Sequence, residues 1–447
     1  MTALAAVAVA LAPGCAATDG PPRPSVLLVV VDTLRADRLT DYGHDRDTLG
    51  PVAALAAQAT RFTAAYAPSS WTRPSVATIF SGMMPARHRA KIGGTNRLNR
   101  AIPTLAETLG AAGWSTAGFS ANVVVSRKVD FDQGFDRFLD YEGGVQAYPD
   151  IAAMMRLARD WLKTAPRPFF LFLQPMNVHG PYRVPVEHQT VLLGRRPSRD
   201  FRYQEPPRTS IMAGAVELRS SIGETYLTSL RDQYDTAIRY SMEQLDALFS
   251  DLRREGLWDE TLIVLTSDHG EELYDHQGFS HAYSLFEEVV RVPLYVKLPG
   301  QLEPAVRDDP VSLADIYPTV LEVLGLPPVR HGDGRSLLRR GESERELVFE
   351  VNNPERFRGR ALLSGNYKLI ETEVDYQGRS DAVALYDLSR DPDESRDLVN
   401  DEPELAARLR ARMEEIFAGY EERSLPLPAE GDAVLDQDTL RALGYVN

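Results

Sequence analysis

Three runs along the chain are apolar without interruption in their interiors: Ser25–Val31 (S-V-L-L-V-V-V), Pro168–Leu173 (P-F-F-L-F-L) and Thr261–Thr266 (T-L-I-V-L-T). A strand with one face in water alternates, so continuous runs predict strands buried on both faces, as in a parallel sheet covered by helices. Trp114–Phe119 and Val292–Lys297 read as further strands. Between them lie stretches of helical spacing: Thr48–Thr60, Ile102–Ala112, Ile151–Lys163, Ser229–Arg254 and Ser312–Leu326. Ser229–Arg254 sets Ile238, Leu245, Leu248 and Leu252 on one side, and Pro327-Pro328 closes Ser312–Leu326. Strands alternating with helices predict an α/β fold with a large, mostly parallel sheet flanked by helices. After about residue 345 the pattern shortens. Leu347–Val351, Arg360–Ser364, Tyr367–Glu371 and Ala384–Asp387 read as short strands, and Glu402–Tyr420 as a charged amphipathic helix. We therefore expect a main domain over 25–345 and a smaller C-terminal α+β region with an antiparallel sheet over 346–447.

Polar residues with chemistry follow the buried runs. Asp32 ends the first, His179 follows the second, and Asp268-His269 follows the third. In an open α/β sheet ligands gather in the crevice at the carboxyl ends of the strands. These residues are thus expected on one edge. Any one of them alone reads as a turn residue. Together, two carboxylates and an imidazole suit a divalent cation such as Ca, Mn, Zn or Mg.

A second stretch, Ala67–Gly82 (A-P-S-S-W-T-R-P-S-V-A-T-I-F-S-G), reads as a loop turning into a helix. Pro74 suits the first helical turn, where its missing N–H has no partner to lose, and Gly82 suits the stop. Thr72 falls at the N-terminus of that helix. There it is either an N-cap or, beside a metal ion, a hydroxyl that ionises and attacks phosphorus or sulfur. His179 and His281 are candidates for handling the leaving group or the anionic oxygens. Arg73 is a candidate substrate contact, with a solvent-facing side chain as the alternative. His276 reads as a loop residue.

Composition narrows the classes. With 43% hydrophobic and 25% charged residues, 447 positions are ample for a large core. A net charge of −15 lacks the basic footprint of a nucleic-acid binder and leaves an anionic substrate dependent on a local positive site. The single cysteine, Cys15, rules out an internal disulfide and a cysteine nucleophile in the folded body. Met1–Ala12 is apolar but short for a membrane span, and Ala12-Pro13-Gly14-Cys15 follows it. This resembles a bacterial export signal and lipobox over 1–15, with 16–24 as a tether. The expected location is the periplasm or cell envelope, with a lipid anchor at Cys15.

Taken in order, the motifs resemble the sulfatase family of the alkaline phosphatase-like superfamily over about residues 25–400. They are P-S-V-L-L-V-V-V-D-T-L-R-A-D (24–37), A-P-S-S-W-T-R-P-S-V-A-T-I-F-S-G (67–82), F-F-L-F-L-Q-P-M-N-V-H-G-P-Y (169–182), T-L-I-V-L-T-S-D-H-G-E-E (261–272), S-L-F-E-E-V-V-R-V-P-L (284–294), S-L-A-D-I-Y-P-T-V-L-E-V-L-G (312–325) and L-Y-D-L-S-R-D-P-D-E (385–394). The resemblance implies an alkaline phosphatase-like fold and metal-dependent ester hydrolysis. It implies Asp32, Asp268 and His269 as metal ligands with Thr72 completing the shell, and His179 and His281 beside the substrate.

The departures are specific. The family's C/S-x-P-x-R, whose first residue matures to formylglycine, reads T-R-P-S-V at 72–76; threonine cannot give that aldehyde, and Val76 replaces the arginine. Thr33 stands for the second aspartate, and S-A-N-V at 120–123 for the G-K-W-H segment. A threonine nucleophile resembles the superfamily's phosphodiesterases and phospho-headgroup transferases instead. The expected activity is hydrolysis of a phospho- or sulfo-ester of a small molecule, glycan or lipid through Thr72. The alternatives are a phospho-headgroup transferase of the cell envelope and a non-catalytic surface binding protein on this fold. Substrate choice is expected in the loops, above all Val184–Tyr226.

Overall fold

The computed structural model describes residues 23–91, 97–140, 150–195, 223–340, 345–353, 357–374 and 380–426. The predicted leader with Cys15, nearly all of the tether, residues 196–222 of the Val184–Tyr226 stretch and the tail from 427 lie outside the described residues. No described helix is long and apolar enough to cross a membrane.

The first apolar run becomes strand β1 (Ser25–Val30), buried at all six positions and central in the main sheet. The other main-sheet strands are β2 (Thr60–Tyr66), β3 (Ser115–Ser120), β4 (Arg137–Leu139), β5 (Phe169–Gln174) and β6 (Thr261–Thr266). After the small hairpin β7 (Glu272–Leu273) and β8 (Phe279–Ser280) come β9 (Arg291–Lys297), β10 (Ala305–Arg307) and β11 (Val311–Ser312). The order is β10-β2-β9-β6-β1-β5-β3-β4, with β11 also on β2. β1 pairs in parallel with β5 (Val26 opposite Phe170) and with β6 (Val26 opposite Leu262). The three uninterrupted runs are thus neighbours, and their carboxyl ends share one edge.

β9 runs antiparallel to both β6 and β2, a direction the residue pattern does not carry. The chain leaves β6 at the carboxyl edge and re-enters the sheet through the short helix Glu287–Val290, without a long crossover helix between. The strand must therefore run back. Thr48–Thr60 is less helical than its spacing predicts: a 3-10 turn Gly50–Val52 and one α turn Ala53–Ala56 precede β2. The long helix begins at Glu224, five residues early, and buries Leu230, Tyr234, Ile238, Leu245, Leu248 and Leu252.

The last four strands, β12 (Leu347–Asn353), β13 (Phe357–Ser364), β14 (Tyr367–Val374) and β15 (Ser380–Asp387), form an antiparallel sheet in sequence order. Val348, Leu362, Leu369 and Leu385 make a row straight across it. Ala406, Leu409, Met413 and Phe417 of helix Pro403–Glu422 cover that row. The opposite face, with Leu347, Phe349 and Val351, belongs to the main core. Lys368 of β14, fully buried, is ion-paired to Glu287 and Glu394, each at 2.9 Å, and Tyr66 Oη donates to Glu287. The smaller sheet is therefore joined to the larger by packing and by a buried charge cluster.

Candidate active site

Thr72 opens the helix Thr72–Ser81 as its first residue, and Trp71 occupies the cap position. The cap assignment for Thr72 does not hold. Its hydroxyl lies 3.1 Å from His269 Nε2 instead. All ten residues of this helix are buried, and Gly82 ends it in the left-handed region at φ 68°. Val76, where relatives carry arginine, packs in the main core.

Asp32, Asp268 and His269 converge as expected, with one ligand atom from each lying within 4.8 Å of the others. All three are fully buried. Asp32 Oδ2 accepts from Asn122 Nδ2 at 2.7 Å and from Gln174 Nε2 at 3.2 Å. Asp268 Oδ1 accepts the backbone N–H groups of Thr33 (3.3 Å) and His269 (3.1 Å). The remaining oxygens, Asp32 Oδ1 and Asp268 Oδ2, have no hydrogen-bond partner among the described residues although both are buried. A buried carboxylate oxygen left this way is costly unless something positive meets it. His269 Nδ1 faces the Gly270 carbonyl at 2.8 Å, which fixes its proton there and leaves Nε2 as a lone pair. Two oxygens and one imidazole nitrogen thus fit a divalent cation.

The electrostatics agree. Burial, then the facing Asp268 charge, pushes the Asp32 carboxyl up to about 6 against the pull of His179, His269 and Asn122. Burial pushes Asp268 up to about 7 although backbone N–H groups and the Thr72 hydroxyl favour its ionised form. Burial pushes His269 down. Thr33, at the family's second aspartate, is turned away: its hydroxyl donates to the Asp32 carbonyl at 2.8 Å.

His179 and His281 meet with their Nε2 atoms 3.1 Å apart. The His281 ring lies 4.5 Å from that of His269, centroid to centroid, which sets the pair beside the Asp32–Asp268–His269 cluster. His179 Nδ1 lies 2.6 Å from the Gly180 carbonyl, so His281 Nε2–H is the donor between neutral rings. Arg73 is 3% exposed, its guanidinium 5.0 Å from the Trp71 ring centre, so the solvent-facing alternative does not hold. His276 belongs elsewhere, bonded to Glu288 at 2.7 Å and stacked on Phe286.

Sequence reasoning passed over two residues. Asn122 bonds Asp32 and lies 3.4 Å from the Thr72 hydroxyl, and Gln174 is the second amide on Asp32. Both end or directly follow a buried strand, the same signal that singled out Asp32 and Asp268.

A mostly parallel sheet with two carboxylates, an imidazole and a helix-borne hydroxyl on one edge defines an alkaline phosphatase-like hydrolase. The sequence model of the Sulfatase family matches residues 24–326, and that of the N-sulphoglucosamine sulphohydrolase C-terminal region matches 275–419. The chain belongs to the sulfatase family, and it is a sulfatase-like enzyme. It is 27% identical to Arylsulfatase K of Bos taurus over 89% of this chain and 82% of that one. It is 26% identical to Choline-sulfatase of Rhizobium meliloti over 68% of each. In fold it is similar to the phosphonate monoester hydrolase of Agrobacterium radiobacter (TM-score 0.71, 21% identity, 89% of this chain and 96% of that one). It is also similar to a protein solved with its substrate D-glucosamine-2-N,6-O-disulfate (TM-score 0.75, 18% identity, 91% and 100%).

Proposed function

We propose that this enzyme hydrolyses a phosphodiester or phosphonate ester in preference to a sulfate ester, with Thr72 as nucleophile. The observation that carries the reading is the Thr72 hydroxyl at 3.1 Å from His269 Nε2, with an unpartnered oxygen on each of the two neighbouring carboxylates. Asp32, Asp268 and His269 would hold a divalent cation, with the Thr72 hydroxyl beside it. Such an ion lowers the pKa of a hydroxyl and offsets charge developing on a substrate oxygen.

The residues around it do the rest. With its Nε2 lone pair committed to the cation, His269 would help hold the Thr72 oxygen beside that ion, and the hydroxyl proton leaves to solvent as the oxygen ionises. Thr72 Oγ1 attacks phosphorus, the bond from phosphorus to the leaving oxygen breaks, and the His179–His281 pair, singly protonated from solvent, gives that proton to the leaving oxygen. Water then attacks the phosphothreonine and frees Thr72. Asn122 and Arg73 orient the substrate. The amide at Asn122 stands in the segment where relatives carry lysine and histidine, so the pocket offers less positive charge. That suits a singly charged ester better than a phosphomonoester dianion. A threonyl sulfate lacks the hemiacetal route by which formylglycine expels sulfate, which favours phosphorus over sulfur here. The arylsulfatase and choline-sulfatase relatives support a small ester as substrate, and the disulfated glucosamine of one fold neighbour supports a glycan. The lipobox-like run ending at Cys15 supports action at the cell envelope.

The test is a panel of bis-aryl phosphodiester, phosphonate ester, aryl phosphomonoester and aryl sulfate, assayed with Mn, Zn, Ca or Mg returned to stripped protein. Metal-dependent diesterase activity that disappears in Thr72→Ala is expected. Sulfate release as the dominant activity, lost in the same variant, would overturn the preference. Activity that survives Thr72→Ala would overturn the nucleophile.

A further inference from the structure

The T-L-R-A-D run at 33–37 is left unused by the site beyond Asp32 and Thr33. Its arginine, Arg35, is 4% exposed, and its guanidinium engages three residues at once. Nε and Nη2 grip Asp37 at 2.9 and 2.7 Å. Nη1 and Nη2 grip Asp275 at 2.7 and 3.3 Å, and Nη1 also donates to the Glu271 carbonyl at 3.0 Å. All five N–H groups are used, in two bidentate forks and one backbone bond. Arg35 is fixed in turn, because its backbone N–H donates to Tyr234 Oη at 3.0 Å and that hydroxyl donates to the Thr33 carbonyl at 2.6 Å.

Asp275 sits in the turn of the β7–β8 hairpin, which leads directly to His281. That hairpin is held in an unfavourable shape. Tyr274, Gln277, Ser280 and Ala282 all take left-handed backbone with φ of 78°, 63°, 71° and 64°, and none is glycine. Two of the four flank His281. Such residues persist only where surrounding contacts over-determine them. The far end is clamped to the nucleophile loop: Ala282 N–H donates to the Ser70 carbonyl at 2.9 Å, and Ser70 Oγ to the Ser284 carbonyl at 2.7 Å. The near end is clamped by Arg35 through Asp275, whose Oδ2 also accepts the Leu273 N–H at 3.0 Å.

We propose that Arg35 is a positioning residue that, through Asp275, holds the strained hairpin so that His281 Nε2 meets His179 Nε2. The same guanidinium carries the segment after Asp32 and the carbonyl of Glu271, two residues past His269. One side chain therefore registers both metal-ligand loops against the histidine pair. The proposal rests on the reading of His281 as part of the leaving-group machinery. Lysine in place of Arg35 keeps the charge and loses both forks, so it is not a conservative change here.

The test is a double-mutant cycle on the full chain, pairing Asp275→Asn with His281→Ala, with Arg35→Lys as a second probe. Each variant is followed by kcat and KM, by Tm, and by histidine side-chain 15N NMR. Asp275→Asn is isosteric and carries the test if Arg35→Lys does not fold. We expect Asp275→Asn to lower kcat about tenfold with KM little changed, and to lose that effect in the His281→Ala background. The His281 and His179 resonances move, while those of His88, on the helix Pro85–His88, stay. Effects on kcat that multiply across the cycle, or unmoved His281 and His179 resonances, overturn the proposal. If His281→Ala leaves kcat intact, the reading of His281 fails, and the resonances alone decide whether Arg35 positions the ring.

Discussion

Lys368 and Asp32 are both shut away from solvent, yet the clusters around them are completed in opposite ways. Around Lys368 the ammonium lies 2.9 Å from each of two carboxylates, on Glu287 and Glu394, and its own pKa is raised because they outweigh the cost of burial. Around Asp32 two carboxylates face each other with no arginine or lysine paired to either among the described residues, and each keeps one oxygen without a hydrogen bond. The first cluster joins two sheets and is closed. The second stores the cost of an unanswered charge at the edge where substrate arrives. Burial alone does not mark a functional site; burial with the counter-charge left out does.

Asp268→Asn gives the largest contrast. It removes a proposed cation ligand and should lower turnover by about 1,000-fold, while the metal-free chain melts at a higher temperature because the repulsion with Asp32 is gone. Calorimetric metal titration and thermal melts check both halves. A metal-free melting point that falls would contradict the account of the site as electrostatically strained. Lys368→Met should do the reverse, destabilising the fold by about 3–5 kcal/mol by leaving Glu287 and Glu394 buried without their partner. Denaturant unfolding measures this, and the kcat of the folded fraction should stay near that of the parent.

The pH dependence is the third test. Asp32 and Asp268 titrate near 6 and 7 in the folded chain against 3.8 for a free carboxylate, so the metal-free native state binds the extra protons. Their stabilising contribution is full below about 3.8 and is lost as pH rises through 6 and 7. A divalent cation needs the ionised forms, so its stabilising effect should grow over the same window. Melting curves of the parent and an Asp32→Asn, Asp268→Asn double variant, with and without metal, isolate this. A parent curve whose slope matches that of the double variant rules the coupling out. The smallest effect belongs to Asn122→Ala, which removes one amide from Asp32 Oδ2 and should weaken metal binding about tenfold, read by competition with a chelator.

Much of this was legible in the residues. β1, β5 and β6 have no water-facing side, so their sequences carry few polar letters, and the polar residues that follow them fall on the edge where the candidate site forms. Asp32, His179, Asp268 and His269 were readable for that reason. Strand direction was not, because an apolar run such as the interior of β9 reads alike in either sense, and β9 owes its direction to the path of the chain before it. Asn122 and Gln174 were visible as strand-end polar residues, but their meaning depends on which carboxylate they meet. Thr72 left two readings open, since a hydroxyl at a helix start suits a cap as well as a nucleophile. The His269 ring across the gap decides which way it turns.

The ten-residue burial of the helix behind Thr72 bears on how this enzyme can change over generations. An element with no exposed position has few substitutions open to it, and those that shift it disturb the core before they alter a substrate. New specificities on this scaffold should therefore accumulate in the loops around the cleft, while the segment from Thr72 to Ser81 drifts slowly. A mutational library spread evenly over the gene would recover its altered selectivities from the former and its insoluble variants from the latter.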